Sequence, residues 1–587
     1  MPKSQRLFEV RNITDLRDMV RQSVELFGDL NAFLVKNKET SEIQGISYKQ
    51  FQEDIQCLGT ALCSLGLKDS MIAVLGENRY EWCVSYLGIV NGTGVVVPLD
   101  KELPHQEIFK LLERSEASAV LCSGSYEDVL KEKKANLPNL KYIINFDRSD
   151  SDGDILSYTE LIKRGKQLIS EGDTTFIDTP IDREKMHMLI FTSGTTDQSK
   201  GVMLSHKNIV SDMMAVSKLL YADTNDSVLS ILPLHHTYEC TAGFLTMVYL
   251  GVTIAFCEGL RHITKNLQEY KPTIIMSVPL ILENVYNKII NKAKKENRYI
   301  MLKVAIGISG LLFKLGIDIR RHLFREVLAN LGGNLRLIIS GAAALNPKAS
   351  KTLRAMDLNI MQGYGLTECS PIVSVNRLDY YKDSSAGLPL PGIEVEIHNP
   401  DADGIGEIKV RGPIVMLGYF KNPEATNEVL RDGWLYTGDN GYIDKDGFLF
   451  IAGRKKNVIV TKNGKNIFPE DVELYLNKSE YIKESLVYGV DEEGEDDTIV
   501  CAKIVPDMEV INEKFGRVLS DEELYKLIKQ EVLKANKKLS SYKKIRHFEL
   551  RHEEFEKTTT KKIKRQVELV SLKSIGEMFK VFNKKAK

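Results

Sequence analysis

The stretch Phe191-Thr-Ser-Gly-Thr-Thr-Asp-Gln-Ser-Lys-Gly201 holds the densest chemistry in this 587-residue chain. Small and hydroxylated side chains, with Gly194 and Lys200, suit a loop that closes around phosphate. Backbone N–H groups and hydroxyls converge on anionic oxygens, and the lysine adds a point charge. The spacing is not that of a Walker loop, G-x-x-x-x-G-K-[ST], because Ser199 precedes Lys200. Ahead of the loop, Met186 to Ile190 reads as a strand. Behind it, Ser205 reads as the N-cap of a helix through Val210, Met213, Met214 and Leu219. Taken alone, the loop also fits an ordinary Ser/Thr/Gly surface turn.

Further motifs follow in order: Leu232-Pro-Leu-His-His236, Ile339-Ser-Gly-Ala-Ala-Ala344, Gln362-Gly-Tyr-Gly-Leu-Thr-Glu368, Trp434-Leu-Tyr-Thr-Gly-Asp439 and Gly453-Arg-Lys-Lys456. With the 191–201 loop they resemble the motif series of the adenylate-forming enzymes: acyl-CoA synthetases, luciferases and peptide-synthetase adenylation domains. That resemblance implies a carboxylate attacking the α-phosphorus of ATP, loss of pyrophosphate, and opening of the acyl-adenylate by a thiol. Two anions must meet in such a reaction, so positive charge and convergent donors are required.

On the resemblance, Thr192, Ser193, Gly194, Thr195, Thr196 and Lys200 would hold the β- and γ-phosphates, and Glu368 would bind Mg²⁺. Gly341, Ala342 and Ala343 would leave room for adenine, with Tyr364 stacked on it and Gln362, Gly363, Gly365 and Thr367 completing that wall. Asp439 would accept from both ribose hydroxyls and Arg454 would reach the ribose. His236 would sit at the carboxylate end of the acyl pocket, Lys456 would be a hinge, and Gly464, Pro469 and Glu470 the turn facing coenzyme A. The family's C-terminal P-K-T-x-x-G-K-[ILV] stretch corresponds to Glu556-Lys-Thr-Thr-Thr-Lys-Lys-Ile563. This register makes Lys562 the adenylation lysine, although Lys561 stands where the family has Gly. Asp197 also replaces a usual Gly, an awkward charge beside pyrophosphate.

The elements that must position these residues alternate in type. Val95–Pro98, Ala119–Cys122 and Tyr142–Phe146 read as buried parallel strands, separated by helical stretches such as Tyr48–Leu65 and Gln106–Arg114. From Ile393 to Val410 the pattern changes to short strands with Gly/Asp/Pro turns. After Lys456 come strand-like Val487–Gly489 and Ile499–Ile504, helical Glu522–Ala535 and a last strand Phe548–Leu550. The expected fold is α/β. A large N-terminal domain, 1–454, has mixed and parallel sheets flanked by helices plus a β-rich subdomain. A small mobile α+β domain follows at 455–587. The acidic run Asp491–Asp497 reads as a solvated turn.

A net charge of −1 carries no nucleic-acid signature, although 541–587 holds 14 Lys/Arg against 6 Asp/Glu. The eight cysteines are scattered without a CxxC pair, which disfavours disulfide frameworks and zinc sites. The N-terminus has no apolar signal region. The uncharged run Cys240–Cys257 only touches the ~18-residue limit for a spanning helix, and Gly243 and Gly251 interrupt it, so a buried helix followed by a strand is expected. The cytoplasm is the default compartment.

The substrate is argued from one long connection. Between Pro272–Val278 and Leu335–Ser340 the chain carries 288–326, with 10 Lys/Arg against 3 Asp/Glu around the apolar run Tyr299–Phe313. In this it resembles long-chain fatty acid–CoA ligases rather than aryl or short-chain ones. The segment suits either a helix pair packed on the main domain or a membrane interface, where fatty acids partition; the tail 578–587 is a weaker interfacial candidate. The expected activity is therefore ATP-dependent long-chain fatty acid–CoA ligation. Loading of an acyl-carrier protein, use of a medium-chain or aryl acid, and a lipid-binding scaffold with degenerate catalysis are the alternatives. Retention of Lys200, Glu368, Asp439 and Arg454 argues against the last.

The register at the C-terminus is directly testable. Lys562→Ala should cripple formation of acyl-adenylate from acid and ATP while largely sparing thioester formation from pre-made acyl-adenylate, and Lys561→Ala should be mild in both half-reactions. Lysine's charge is needed where two anions approach, and thiol attack on a mixed anhydride has no such demand. Exchange of the two phenotypes would shift the alignment by one residue.

Overall fold

The computed structural model describes residues 7–37, 40–192, 199–461, 466–490, 498–557 and 563–570. Two compact units divide the chain. One comprises Met1–Val395, Val410–Leu435 and Gly447–Leu449; the other comprises Glu396–Lys409, Tyr436–Asp446 and Phe450–Lys587.

The first unit is built on two sheets. An eight-stranded sheet runs Gly418–Tyr419, Lys200–Ser205, Met186–Thr192, Gly94–Leu99, Ser70–Leu75, Ala119–Cys122, Tyr142–Asn145, Ile155–Ser157 in spatial order. A nine-stranded sheet centres on Asn359–Gly365, Leu337–Ser340, Ile274–Ser277, Ser227–Ser230 and Thr253–Phe256, which pair in parallel. Ala119–Cys122, Ile274–Ser277 and Leu337–Ser340 are buried at every position. Helices cover both faces of such strands, so their sequences are continuous apolar runs rather than alternating ones.

The α/β expectation holds here, with one correction at the phosphate loop. The chain does not pass from strand through loop to helix. Lys200–Ser205 is itself a strand, antiparallel to Met186–Thr192, with Thr192 opposite Lys200. The helix His206–Ser217 starts only after it, capped as expected by Ser205. The Ser205 hydroxyl accepts from the Asn208 N–H, and the Asn208 side chain accepts in return from the Ser205 N–H at 2.9 Å. The strands on either side of residues 193–198 are thus two arms of a hairpin, fixed by ladder hydrogen bonds.

The uncharged run 240–257 forms helix then strand as expected, but its first part, Tyr238–Leu245, is a π-helix. Helix Thr246–Leu250 and strand Thr253–Phe256 follow, separated by Gly251 at φ +81°. Among the described residues no helix is long and apolar enough to cross a membrane.

The N-terminal helix Leu16–Phe27 is tied to distant sequence. Its first N–H, on Leu16, donates to Nδ1 of the fully buried His206 at 3.1 Å, while His206 Nε2 lies 3.0 Å from the Val90 carbonyl. Burial pushes the His206 pKa down to about 3, so the ring is neutral and can accept at one nitrogen while donating from the other. Ser23 Oγ donates to the Val248 carbonyl at 3.2 Å, and strand Asn31–Lys36 lies parallel to Thr253–Phe256.

The second unit ends in a three-stranded sheet, Ile482–Val490, Ile499–Pro506 and His547–Leu550, covered by helices Pro469–Leu476 and Asp521–Asn536. Its core includes Val472, Val487, Ile504 and Ile528. The later helix begins with a capping box between Ser520 and Glu523.

Helices Tyr48–Ser64 and Tyr158–Ser170 approach closely because Gly165 presents no side chain. A Cβ there would stand 1.8 Å from the Cys57 carbonyl oxygen. The obstacle is helix backbone, which cannot swing aside. Gly165→Ala should therefore lower stability by about 1–3 kcal/mol or more, seen as an earlier denaturation midpoint in the first unit.

Candidate active site

In the first unit, three separated stretches meet at Tyr419. Strand Gly418–Tyr419 pairs with Val202 and Met203 beside the phosphate hairpin. The Tyr419 hydroxyl donates to Glu368 Oε1 at 2.9 Å, and the Lys200 ammonium sits 4.6 Å from the centroid of the Tyr419 ring. Tyr419 thus holds the lysine and the carboxylate to one edge of the sheet, with cation–π attraction on one side and a charge-assisted hydrogen bond on the other. Thr192, the last described residue before the loop, has its hydroxyl 3.4 Å from the Lys200 carbonyl. Ser193, Gly194, Thr195, Thr196 and Asp197 lie outside the described residues, as do Lys561, Lys562 and Gly464.

The histidine turn is brought to the same place. Thr237 Oγ1 lies 3.0 Å from Thr367 Oγ1, so the residue after His236 touches the residue before Glu368. The rings of His235 and His236 lie 4.0 Å apart. His235 is buried, and burial pushes its pKa down to about 3, so its 3.5 Å contact with Asp100 is not an ion pair at neutral pH. His236 is the half-buried member of the pair. Asn78 fixes the turn from the loop that follows strand Ser70–Leu75 of the other sheet. Its amide donates to Ser230 Oγ at 2.9 Å and to the Leu232 carbonyl at 2.7 Å, and its oxygen accepts from the Leu234 N–H at 3.0 Å.

Behind the turn, Glu239 is completely buried on the π-helix and accepts from the Ser230 hydroxyl at 2.6 Å. Burial raises its pKa to about 8, outweighing the hydrogen bonds from Ser230 and the Leu232 backbone, so the carboxyl is largely protonated at neutral pH. Gly243 makes room for it: a Cβ there would meet the Glu239 carboxylate at 2.8 Å. Ala242 on the same π-helix and Thr246 at the start of the next helix line an apolar cavity with Val216, Met276, Ile339 and Met361. The Thr246 hydroxyl is satisfied by the Thr241 carbonyl at 2.7 Å, which leaves the wall apolar.

The adenine-type turn leaves strand Leu337–Ser340 at its C-terminal end, the usual place for ligands in open parallel sheets. Gly341 is buried under the Tyr238 ring, 3.2 Å from where its Cβ would be, whereas Ala342 at φ +70° and Ala343 are exposed. Tyr364 is half-buried on the next strand. Gly365 is sterically required, because a Cβ would lie 1.9 Å from the Pro371 carbonyl oxygen. Gln362 turns inward, and its amide donates to the Ser385 carbonyl at 3.0 Å.

In the second unit, Asp439 is buried on strand Trp434–Ile443 and forms an ion pair with the half-exposed Arg454, Nε to Oδ1 2.8 Å. Its N–H donates to Thr437 Oγ1 at 3.1 Å. Lys456 is exposed on the short turn Lys455–Asn457. Pro469 opens helix Pro469–Leu476, and Glu470 accepts from Asn457 at 2.8 Å. Glu473, on the same helix, is buried against the Arg565 guanidinium. Arg565 donates as well to the Val487 carbonyl at 3.0 Å. The Lys557–Ile563 bridge and this anchor hold both ends of the stretch that contains Lys562.

Sequence reasoning missed Tyr419, Asn78 and Glu239. None lies in one of the recognised motifs, and each acts through a partner far away in sequence.

A family model described as AMP-binding enzyme matches residues 20–420, and one described as AMP-binding enzyme C-terminal domain matches 456–575. The chain belongs to the AMP-binding enzyme family. It is 31% identical over 553 residues to the long-chain-fatty-acid–CoA ligase 5 of Mus musculus, covering 87% of this chain and 79% of the mouse protein. It is 30% identical over 573 residues to the long-chain-fatty-acid–CoA ligase FadD15 of Mycobacterium tuberculosis, covering 90% and 91% of the two chains. A solved anthranilate CoA ligase, AuaEII in complex with anthranoyl-AMP, shares the fold with a TM-score of 0.75 at 21% identity, covering 97% of this chain and 99% of that one. The expected superfamily and fold class are therefore correct.

The buried Glu239 gives this AMP-binding enzyme a defined pH response. Its folded pKa of about 8 lies above the ordinary 4.5, so between those values the native state binds more protons than the unfolded state and stability falls as pH rises. Below pH 4.5 both states are protonated and the difference vanishes. Glu239→Gln keeps the shape without the charge. It should raise Tm relative to the parent at pH 8 and much less at pH 5, the gap reflecting on the order of a few kcal/mol.

Proposed function

We propose that this chain joins a long-chain fatty acid to coenzyme A using ATP, by way of an acyl-adenylate, with release of AMP and pyrophosphate. The observation that carries the acid-activating part is the Thr237–Thr367 contact. It sets the His236 turn against Glu368 and the Lys200–Tyr419 pair, while Ala242, further along the same stretch of chain, lines an apolar cavity. A carboxylate held at His236 would then meet phosphate held at the hairpin. The substrate rests on the ~30%-identical relatives named as long-chain fatty acid–CoA ligases, which correspond along most of the chain.

Lys200 and the 192–196 loop neutralise the triphosphate. Glu368, steadied by Tyr419, is the residue that would hold Mg²⁺. The fit is good: Mg²⁺ takes one or two carboxylates plus phosphate oxygens rather than a dedicated protein cage. Among the described residues no cluster of three or more His, Cys, Asp or Glu forms such a cage. When bound, the ion supplies charge neutralisation at the phosphates. Gly341, Ala342, Ala343 and Tyr364 receive adenine, with Gln362, Gly363, Gly365 and Thr367 shaping that wall, and Asp439 receives the ribose hydroxyls beside Arg454. The boundary at 454/455, the hinge at Lys456, the CoA-side residues Gly464, Pro469 and Glu470, and the adenylation role of Lys562 belong to the same proposal. The break between the two family models, after 420 and before 456, supports that boundary.

Palmitate should outperform acetate and benzoate in AMP release, with CoA as the acceptor. Each buried methylene contributes ~0.8 kcal/mol, so even two are worth roughly a tenfold preference. Equal turnover of a short or aromatic acid would overturn the substrate assignment, and faster turnover with holo-acyl-carrier protein than with CoA would overturn the acceptor.

A further inference from the structure

Helix Tyr299–Lys314 turns one face into the fold and leaves the other uncovered. Ser309 is buried on the inner side, where its hydroxyl donates to the Ala355 carbonyl at 3.3 Å at the end of helix Pro347–Ala355. On the outer side Ile300, Val304, Ile308, Leu311 and Leu315 follow one another at spacings of four, four, three and four. They form a single stripe along the helix and its C-cap. All five are at least half exposed, from 50% at Ile308 to 77% at Ile300, and Met301 beside them is 61% exposed. Scattered surface apolar residues are normal, but a stripe of this length on one helix face marks a surface built to be covered.

The charge around the stripe indicates what covers it. Residues 288–326 carry 10 Lys/Arg and 3 Asp/Glu, a local net charge of 10 − 3 = +7. Lys292, Lys295 and Arg298 are exposed just before the helix, and Lys303 on it lies 4.4 Å from the Tyr299 ring centroid. Glu326 reaches Lys292 at 3.5 Å and Arg298 at 3.8 Å, but these pairs are solvent-exposed and cancel little of the field. A second copy of the chain docked on this stripe would set two such basic surfaces against each other. An anionic bilayer surface accepts both the apolar side chains and the charge.

We propose that helix Tyr299–Lys314 lies in the plane of an anionic membrane interface, with Val304, Ile308 and Leu311 below the headgroups and the flanking basic side chains on the phosphates. At 16 residues it is too short to span the hydrocarbon core and fits the in-plane geometry. The sequence left two readings of this segment, packed helix pair or interfacial helix; the two faces divide them, one packed and one open.

The test is sedimentation of the full chain with vesicles of phosphatidylcholine alone and of phosphatidylcholine with 30 mol% phosphatidylglycerol, at low and high salt, a readout independent of ligase activity. The parent chain should bind the anionic vesicles and be released by salt. Val304→Glu/Ile308→Glu should reduce the bound fraction at least tenfold with an unchanged melting transition. Lys292→Glu/Lys295→Glu should remove the preference for anionic over neutral vesicles. Ile300→Gln/Leu311→Gln serves if the first pair disturbs folding. Failure of the parent to bind, or equal binding by the stripe variants, overturns the proposal. A concentration-dependent dimer in sedimentation velocity that the stripe variants abolish also overturns it, and assigns the face to a second copy of the chain.

Discussion

Tyr419 joins three stretches of the first unit that are far apart in sequence. Its backbone extends the sheet beside the phosphate hairpin, its ring lies under the Lys200 ammonium, and its hydroxyl holds Glu368. A lysine and a glutamate left free in solvent would be drawn to each other, and a salt bridge between them would cancel the charges that anionic substrates need. With the aromatic ring holding each of them, both are anchored without being neutralised, so under the proposed function their charges remain available to phosphate oxygens and a cation.

A second constraint acts at the histidine turn. The chain leaves strand Ser227–Ser230 into an irregular turn through His236, and Asn78 supplies three hydrogen bonds that hold it. The neighbouring Glu239 is accommodated by protonation rather than by a counter-charge. A neutral buried carboxyl leaves the π-helix, whose Ala242 lines the apolar cavity, without net charge at that point. The site therefore separates its work: positive charge on the hairpin side, electroneutral and apolar surface on the π-helix side.

Much of the fold was legible because buried parallel strands leave continuous apolar runs. Ala119–Cys122 and Tyr142–Asn145 were read from such runs, and helices Tyr48–Ser64 and His105–Ser115 from their periodicity. Ser205 was recognisable as a cap from local chemistry alone. Strand Lys200–Ser205 was not: its six residues begin with a lysine of the phosphate loop and end at a cap, and pairing across a hairpin has no local signature. The π-helix at Tyr238–Leu245 was hidden as well, since its apolar run reads equally as an ordinary buried helix. Candidate site residues stood out in the sequence where one motif carries them, as at Asp439 or Glu368. They were unreadable where a residue acts by reaching across the fold, as Tyr419 and Asn78 do.

The tethering of the N-terminal helix has a consequence for how the chain emerges from the ribosome. Strand Asn31–Lys36 can pair early with Ile43–Ser47, but Leu16, Ser23 and the strand's other edge find their partners at His206, Val248 and Thr253–Phe256, so those contacts wait for some two hundred further residues. At a synthesis rate of ~5–20 residues per second that interval is about ten to forty seconds, during which those contacts are unmade. Completion of this packing therefore waits on the chain through Phe256.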